Sequence, residues 1–323
     1  MTTTHAADQV TPAHGTGSTE LMTATTALAP IAWGTTYLVT TALLPADHPL
    51  SAALMRALPA GILGLLIARR LPYGDWWWKI GVLGTLNIGL FFPLLFVAAE
   101  RLPGGVAATL GATQPILITV LAVTVLGERL SRWRLAWGLI GVMGVGMVVL
   151  GPGAGFDLIG VLAGIGGASA MGTGVILVKR WGRPPGVGAV GFAGWQLTAG
   201  GLVLLAPTLL LEGLPESIDS AGVIGYLWLG LIGGLLAYTL WFRGLGRLPV
   251  TATALLGLLS PLVATALGVA FAGESLNLTQ LAGFALALAA LFCGQLSPPT
   301  FTRRRPLAAP PLTRLFTQNG ERS

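Results

Sequence analysis

Ten apolar stretches, most of them near the length of a membrane-crossing helix, divide this chain and leave little of it for anything else. They cover residues 22–43, 51–68, 79–99, 104–126, 134–151, 158–178, 187–211, 221–243, 250–272 and 278–296. A helix needs about 20 predominantly apolar residues to cross the hydrocarbon core. Composition agrees: 9% of the 323 residues are charged and 54% hydrophobic, whereas about 25% charged residues is usual in a soluble domain. The expectation is an all-α membrane protein of ten transmembrane helices. The 47 glycines fit it, because small residues let membrane helices approach closely. A net charge of +6 would suggest nucleic acid in a soluble protein. Here the arginines lie in loops and tail, so they read as orientation signals, and a nucleic-acid partner is not expected.

Basic residues near span ends are retained on the cytoplasmic side. With the N-terminus inside, the inner loops hold Arg69, Arg70 and Lys79, then Arg129, Arg132 and Arg134, then Lys179, Arg180 and Arg183, then Arg243 and Arg247. With the five arginines of the C-terminal tail, that makes 16 of the 18 basic residues. Arg101 falls outside and Arg56 within a span. Asp47, Asp157, Glu212, Glu216 and Asp219 fall in outer loops. Both termini are expected in the cytoplasm, with an even number of spans. Residues 1–20, without a basic n-region, and the basic, proline-rich stretch 297–323 read as disordered tails.

Residues 101–130 and 247–276 are one element written twice. Arg101-Leu102-Pro103 answers Arg247-Leu248-Pro249, Pro115 answers Pro261, and Gly127-Glu128 answers Gly273-Glu274. A constant offset of 146 aligns them without a gap, with 13 of 30 positions identical. Past the shared Gly-Glu, Arg129, Arg132 and Arg134 meet Ser275, Leu278 and Gln280, so the copies are expected to end on opposite sides of the membrane. The offset extends back to Gly84/Gly230 and Phe96/Phe242. Earlier still, Ala32-Trp33-Gly34-Thr35 pairs with Ala170-Met171-Gly172-Thr173, and Arg56 with Gln196. Residues 21–151 and 152–296 are thus expected to be inverted repeats of five spans each, the usual build of a secondary transporter.

Trp33-Gly34-Thr35-Thr36-Tyr37, Met55-Arg56, Arg101-Leu102-Pro103 with Pro115, Gly127-Glu128-Arg129-Leu130 and their second-half echoes resemble the drug/metabolite transporter superfamily, specifically its EamA-like branch. The resemblance covers roughly residues 22–296. It implies an inner-membrane carrier, often an exporter of amino acids, other metabolites or drugs. Met171, where the first half has Trp33, departs from equivalence between the halves.

A carrier needs a midplane cavity between its repeats. Polar side chains deep in a span are costly unless they face a cavity or a partner helix. Asn87, Gln114 and Gln196 are therefore candidate substrate contacts; the alternative is an interhelical hydrogen bond worth about 0.6 kcal/mol. Trp33, Tyr37, Tyr238 and other span aromatics, Phe91, Phe92 and Trp241 among them, can stack against an apolar or aromatic substrate. Arg56 is the one basic residue well inside a span. It can attract a carboxylate, snorkel to the headgroups, or tie helix ends together. Pro115 and Pro261 are expected to kink their helices in mid-span, as hinges or as plain packing bends. Glu128 and Glu274, beside glycine at helix ends, read as structural groups rather than proton carriers.

Enzyme chemistry usually needs His, Cys or acidic clusters. His5, His14 and His48 lie in the N-terminal tail and an outer loop, and Cys293 is the only cysteine. No metal, cofactor or internal disulfide is expected. The expected function is secondary transport of a small neutral or zwitterionic metabolite, or a drug, by a monomer or homodimer in the cytoplasmic membrane. The competing reading is a non-transporting assembly protein.

Overall fold

The computed structural model describes residues 16–46, 48–101, 110–149, 157–271 and 276–296. Their regular structure is entirely helical, and helix falls on every one of the ten apolar stretches. In order these are α1 (Thr16–Gly34), α2 (Thr36–Leu43), α3 (Pro49–Ala68), α4 (Trp76–Gly84), α5 (Phe91–Arg101), α6 (Gln114–Leu126), α7 (Arg132–Val149), α8 (Leu158–Trp181), α9 (Ala189–Pro207), α10 (Ser220–Leu227), α11 (Ala237–Leu245), α12 (Val250–Leu256), α13 (Leu259–Phe271) and α14 (Leu278–Gln295). Wider π-helical turns join α4 to α5 at Thr85–Leu90 and α10 to α11 at Trp228–Leu236, and a third, Thr208–Glu212, follows α9.

Seven stretches among the described residues are long and apolar enough to cross a bilayer: Pro49–Ala68, Trp76–Ala98, Leu158–Trp181, Ala189–Glu212, Ser220–Leu245, Val250–Phe271 and Leu278–Gln295. Leu110–Leu126 is apolar but shorter. The remaining two have local reasons to fall short. Residues 22–43 are divided at Thr35, and α7 carries Arg132 and Arg134 in its first turn.

Three features differ from expectation. Helix α1 begins at Thr16, inside the stretch 1–20 expected to be a tail. The hydroxyls of Thr23, Thr25 and Thr26 bond to carbonyls three or four residues back, so polar side chains are satisfied within the helix. The prolines expected in mid-helix instead follow breaks. Pro115 is the second residue of α6, and Pro261 the third of α13. Proline supplies no amide to the carbonyl four residues back, and at the start of a helix that loss costs little. Threonine reinforces two of the breaks. At Thr35 and at Thr113 both amide and hydroxyl donate to the carbonyl three residues earlier, Ala32 and Leu110. Finally, Trp76-Trp77-Trp78 stands at the end of an apolar stretch beside Lys79, where tryptophans are expected to form an interfacial belt; Trp76 is instead buried edge-on against Phe192, while its two neighbours stay exposed.

Packing is reciprocal between the halves. Helices α3 and α9 form one long pair and α7 and α14 the other. Helix α8 packs on α5 and α6, while α1 packs on α11 and α13. The π turn 85–90 packs on α9, and the π turn 228–236 on α3. Each contact recurs with the halves exchanged. Bare backbone makes the α3–α9 crossing possible: a Cβ added to Gly64 would lie 2.8 Å from the Gly194 Cα. The outer surface is apolar, with Leu210, Leu211, Leu278 and Phe292 largely exposed, as lipid requires.

Several basic loops are tied to one another. Tyr73 donates to the Pro185 carbonyl, Arg180 to Val125, and Lys179 to Leu245 and Leu248. These bonds gather the basic loops at one end. At the other, Glu212 accepts from the Leu50 and Ser51 amides, and Arg101 pairs with Asp157 at 3.8 Å.

Candidate functional site

A cavity of about 350 Å³ lies among helices of both halves. That is near the lower end of the roughly 300–1,000 Å³ typical of small-molecule sites. Its wall is built from corresponding positions. Phe92 and Tyr238, Leu95 and Trp241, and Gly111 and Gly257 all line it, each pair separated by 146 residues. Gln114 with Ser260 and Pro115 with Pro261 do the same. Trp33 and Met171 also both line it. The helix breaks before the two prolines therefore open directly onto the cavity.

Aromatic side chains make much of the wall. The Trp33 ring lies 5.2 Å from Tyr238 and 5.2 Å from Trp241, both tilted. Such pairs hold their rings in place by more than area alone, about 0.5–1.5 kcal/mol each. Trp33 Nε1 donates to the Gly233 carbonyl at 2.9 Å, which fixes the indole plane. Arg56 is 4% exposed and lines the same cavity. Its Nη2 donates to the same Gly233 oxygen at 3.1 Å, and its guanidinium carbon lies 4.8 Å over the Phe92 ring. Gly233 lies in the π turn 228–236, and its carbonyl accepts both donors; π turns are rare and concentrate at functional sites.

Asn87 and Gln196 are placed differently from Gln114. Both are buried, at 1% and 0% exposure, yet neither lines the cavity. Asn87 Nδ2 donates to Gln196 Oε1 at 2.8 Å, tying the π turn 85–90 to α9. Room for the amide comes from Gly174 of α8, where any Cβ would collide with Asn87 Oδ1. Tyr238 links the two regions, its ring in the cavity wall and its hydroxyl donating weakly to the Asn87 carbonyl at 3.4 Å. Tyr37 lies on α2, its side chain outside the described residues, as are Glu274, Pro103 and Gly273. Gly127 ends α6 in the left-handed conformation, and the Glu128 amide, rather than its carboxylate, donates to Ala122 in that cap.

Sequence reasoning missed Thr36, Thr40 and Ser260 as wall residues. A signal for the first two existed: Trp33, Thr36 and Thr40 recur at helical spacing and share one face. Ser260 was available from the 146 offset applied to Gln114.

A family model described as the EamA-like transporter family matches twice, at residues 21–150 and 158–293. The chain is 43% identical over 277 residues to Protein PecM of Dickeya dadantii, covering 86% of this chain and 93% of that protein. It is 28% identical over 217 residues to the "Probable amino-acid metabolite efflux pump" of Salmonella typhimurium, covering 64% and 73% respectively. A solved crystal structure matches with a TM-score of 0.70 at 22% identity, over 86% of this chain and 96% of its own, a likeness of fold alone. The molecule is a multi-pass membrane transporter. It belongs to the EamA-like transporter family, within the drug/metabolite transporter superfamily.

Proposed function

We propose that this chain is a secondary transporter that exports or exchanges a small neutral or zwitterionic metabolite, such as an amino acid or related compound, or a drug. It works by alternating access between two inverted repeats of five spans, ten in all, with both termini in the cytoplasm. One observation carries the reading: the cavity wall is built from the same positions of both halves, offset by 146. A site shared in this way can be exposed to either side as one half rocks against the other. The reciprocal helix contacts support the inversion, and the basic and acidic ends support the orientation. The breaks at Thr113 and at Gly257–Leu258 are the natural hinges, since each helix loses its regular bonds there. The name of the Salmonella typhimurium relative supports outward movement of an amino-acid metabolite.

Counterflow in proteoliposomes, with a broad amino-acid and metabolite panel, tests this. At least one solute is expected to exchange across the bilayer and to raise the thermal stability of the purified protein. If no solute exchanged and none stabilised it, the carrier reading would fall and an assembly role would replace it.

A further inference from the structure

A second basin, of about 910 Å³, lies at the end where the basic loops gather and shares no residue with the transport cavity. Arginines reach it from three separate segments: Arg70 beyond the end of α3, Arg183 in the loop after α8, and Arg243 and Arg247 at and beyond the end of α11. No Asp or Glu is among its described lining residues. Lys179 also lines it, but its ammonium is committed to the Leu245 and Leu248 carbonyls. Glu128 acts electrostatically on Lys179 yet lies outside the wall. None of the four guanidinium groups has an ion pair among the described residues.

The backbone beneath them is tied together. Trp195 Nε1 donates to the Arg70 carbonyl at 2.8 Å and Tyr73 to the Pro185 carbonyl at 3.0 Å, which holds the end of α3 against the loop 182–188. Gly186, at φ 72°, leaves room for Arg70: a Cβ there would lie 2.7 Å from its Nη1. The loop then turns into α9, and Gly188, Ala189, Val190 and Gly191 form part of the wall. No side chain caps this helix, and its first backbone bond runs from Phe192 to Gly188. The amides of Ala189, Val190 and Gly191 therefore have no acceptor within the helix. Free amides at a positive helix end attract anions, and here they adjoin four guanidinium groups.

Orientation alone does not require this convergence. A basic residue retains a span end simply by lying near it, as Arg129 and Arg132 do without lining the basin. Away from the loops the wall turns apolar, through Ala68, Val178, Phe192 and Leu240. Leu236, Leu240 and Arg243 follow at near-helical spacing, and Leu236 is exposed, so an apolar stripe leads from the spanning part of the chain up to the charge. A soluble phosphate would use only the charged rim, whereas a phospholipid uses rim and stripe together.

We infer that this basin holds an anionic phospholipid, with its phosphate on the arginines and the α9 amides and an acyl chain along Leu240 and Leu236. Basic pockets between membrane helices take anionic headgroups in this way, and guanidinium groups match phosphate oxygens through paired charge-assisted bonds. The site calls for no particular transported solute. It bears on transport through α11, where Tyr238 and Trp241 line the cavity while Thr239, Leu240 and Arg243 line the basin. A lipid seated there steadies the helix that supplies two of the cavity's aromatic rings.

The test uses the purified intact chain, delipidated in detergent, with native mass spectrometry and thermal unfolding as readouts. The probes are phosphatidylglycerol and phosphatidylcholine with the same acyl chains, and glycerol 3-phosphate as the soluble phosphate. Phosphatidylglycerol is expected to be retained about tenfold in preference to phosphatidylcholine, the scale of one or two basic contacts to an anionic headgroup. It is also expected to raise the melting temperature, as a ligand of the folded state does, and glycerol 3-phosphate at the same concentration is not. Arg243→Gln with Arg247→Gln is expected to remove most of the preference, and Arg243→Lys with Arg247→Lys to keep most of it. Arg129→Gln with Arg132→Gln, the same change of charge outside the basin, is expected to leave it whole. Equal retention of the two lipids overturns the inference. Equal loss in the two Gln pairs does so as well, since net charge rather than the basin would then be the cause. Stabilisation by glycerol 3-phosphate equal to that by the lipid overturns it too, because the occupant is then soluble. None of these outcomes touches the carrier reading, which counterflow tests separately.

Discussion

The contact of Arg56 with Gly233 and the contact of Gln196 with Asn87 occupy corresponding places in the two halves. Arg56 aligns with Gln196, and Asn87 with Gly233 at the 146 offset. Each joins a span to a π turn of the opposite half. One opens on the cavity and the other is sealed. The difference lies in what surrounds them. At the first, the π turn contributes a backbone carbonyl and no side chain, which leaves space that the Trp33 indole and the cavity share. At the second, Asn87 fills that space itself and Gly174 admits its amide. The difference follows from a glycine, Gly233, in one π turn against an asparagine, Asn87, in the other.

The largest expected effect comes from closing the sealed region by force. Gly174→Leu places a side chain where the Asn87 amide lies, and overpacking of this kind costs about 1–3 kcal/mol. Thermal unfolding in detergent is expected to show a clear loss of stability, with transport falling in proportion. An unchanged melting temperature would mean that Asn87 has room elsewhere and that the seal is not tight.

Breaking the sealed pair is next. Asn87→Ala leaves Gln196 buried without its partner, a penalty of about 1–3 kcal/mol. The double variant Asn87→Ala with Gln196→Leu is expected to recover part of that loss, because neither polar group then remains. Additive losses in the double-mutant cycle would show that the two amides are not coupled.

At the open crossing the expected damage is to function. Arg56→Gln is predicted to lower transport about tenfold, equivalent to about 1.4 kcal/mol, with a smaller change in melting temperature than Asn87→Ala. Reversal of that order would make Arg56 the structural member of the pair.

The smallest effect is expected from Trp33→Phe. It removes one of two donors to the Gly233 carbonyl while keeping an aromatic face, and Arg56 remains on the same oxygen. Stability is expected to fall by about 0.6 kcal/mol, the mean for a hydrogen bond between membrane helices. A loss as large as that of Asn87→Ala would show that the two-donor arrangement gives no reserve.

Much of this was legible in the chain itself. Apolar length dictates helix in a membrane, since no other open structure satisfies the backbone there, and helix falls on all ten stretches. The 146 offset pairs Pro115 with Pro261, read from sequence as kinks, and both line the cavity, as do Arg56, Trp33, Gln114 and Tyr238. Local bonding was less legible: the prolines marked the breaks, but threonine bonds and turns of i to i−3 set where the helices stop.

The fate of Asn87 was decided by tertiary structure alone. Asn87, Gln114 and Gln196 look alike in sequence, each a polar residue within an apolar run. Asn87 and Gln196 are 109 residues apart, and only the packing of the π turn on α9, with Gly174 behind it, brings them together. A buried amide takes whichever partner satisfies it. Composition and period specify that it must have one, while the three-dimensional neighbours determine whether that partner is another helix or a cavity.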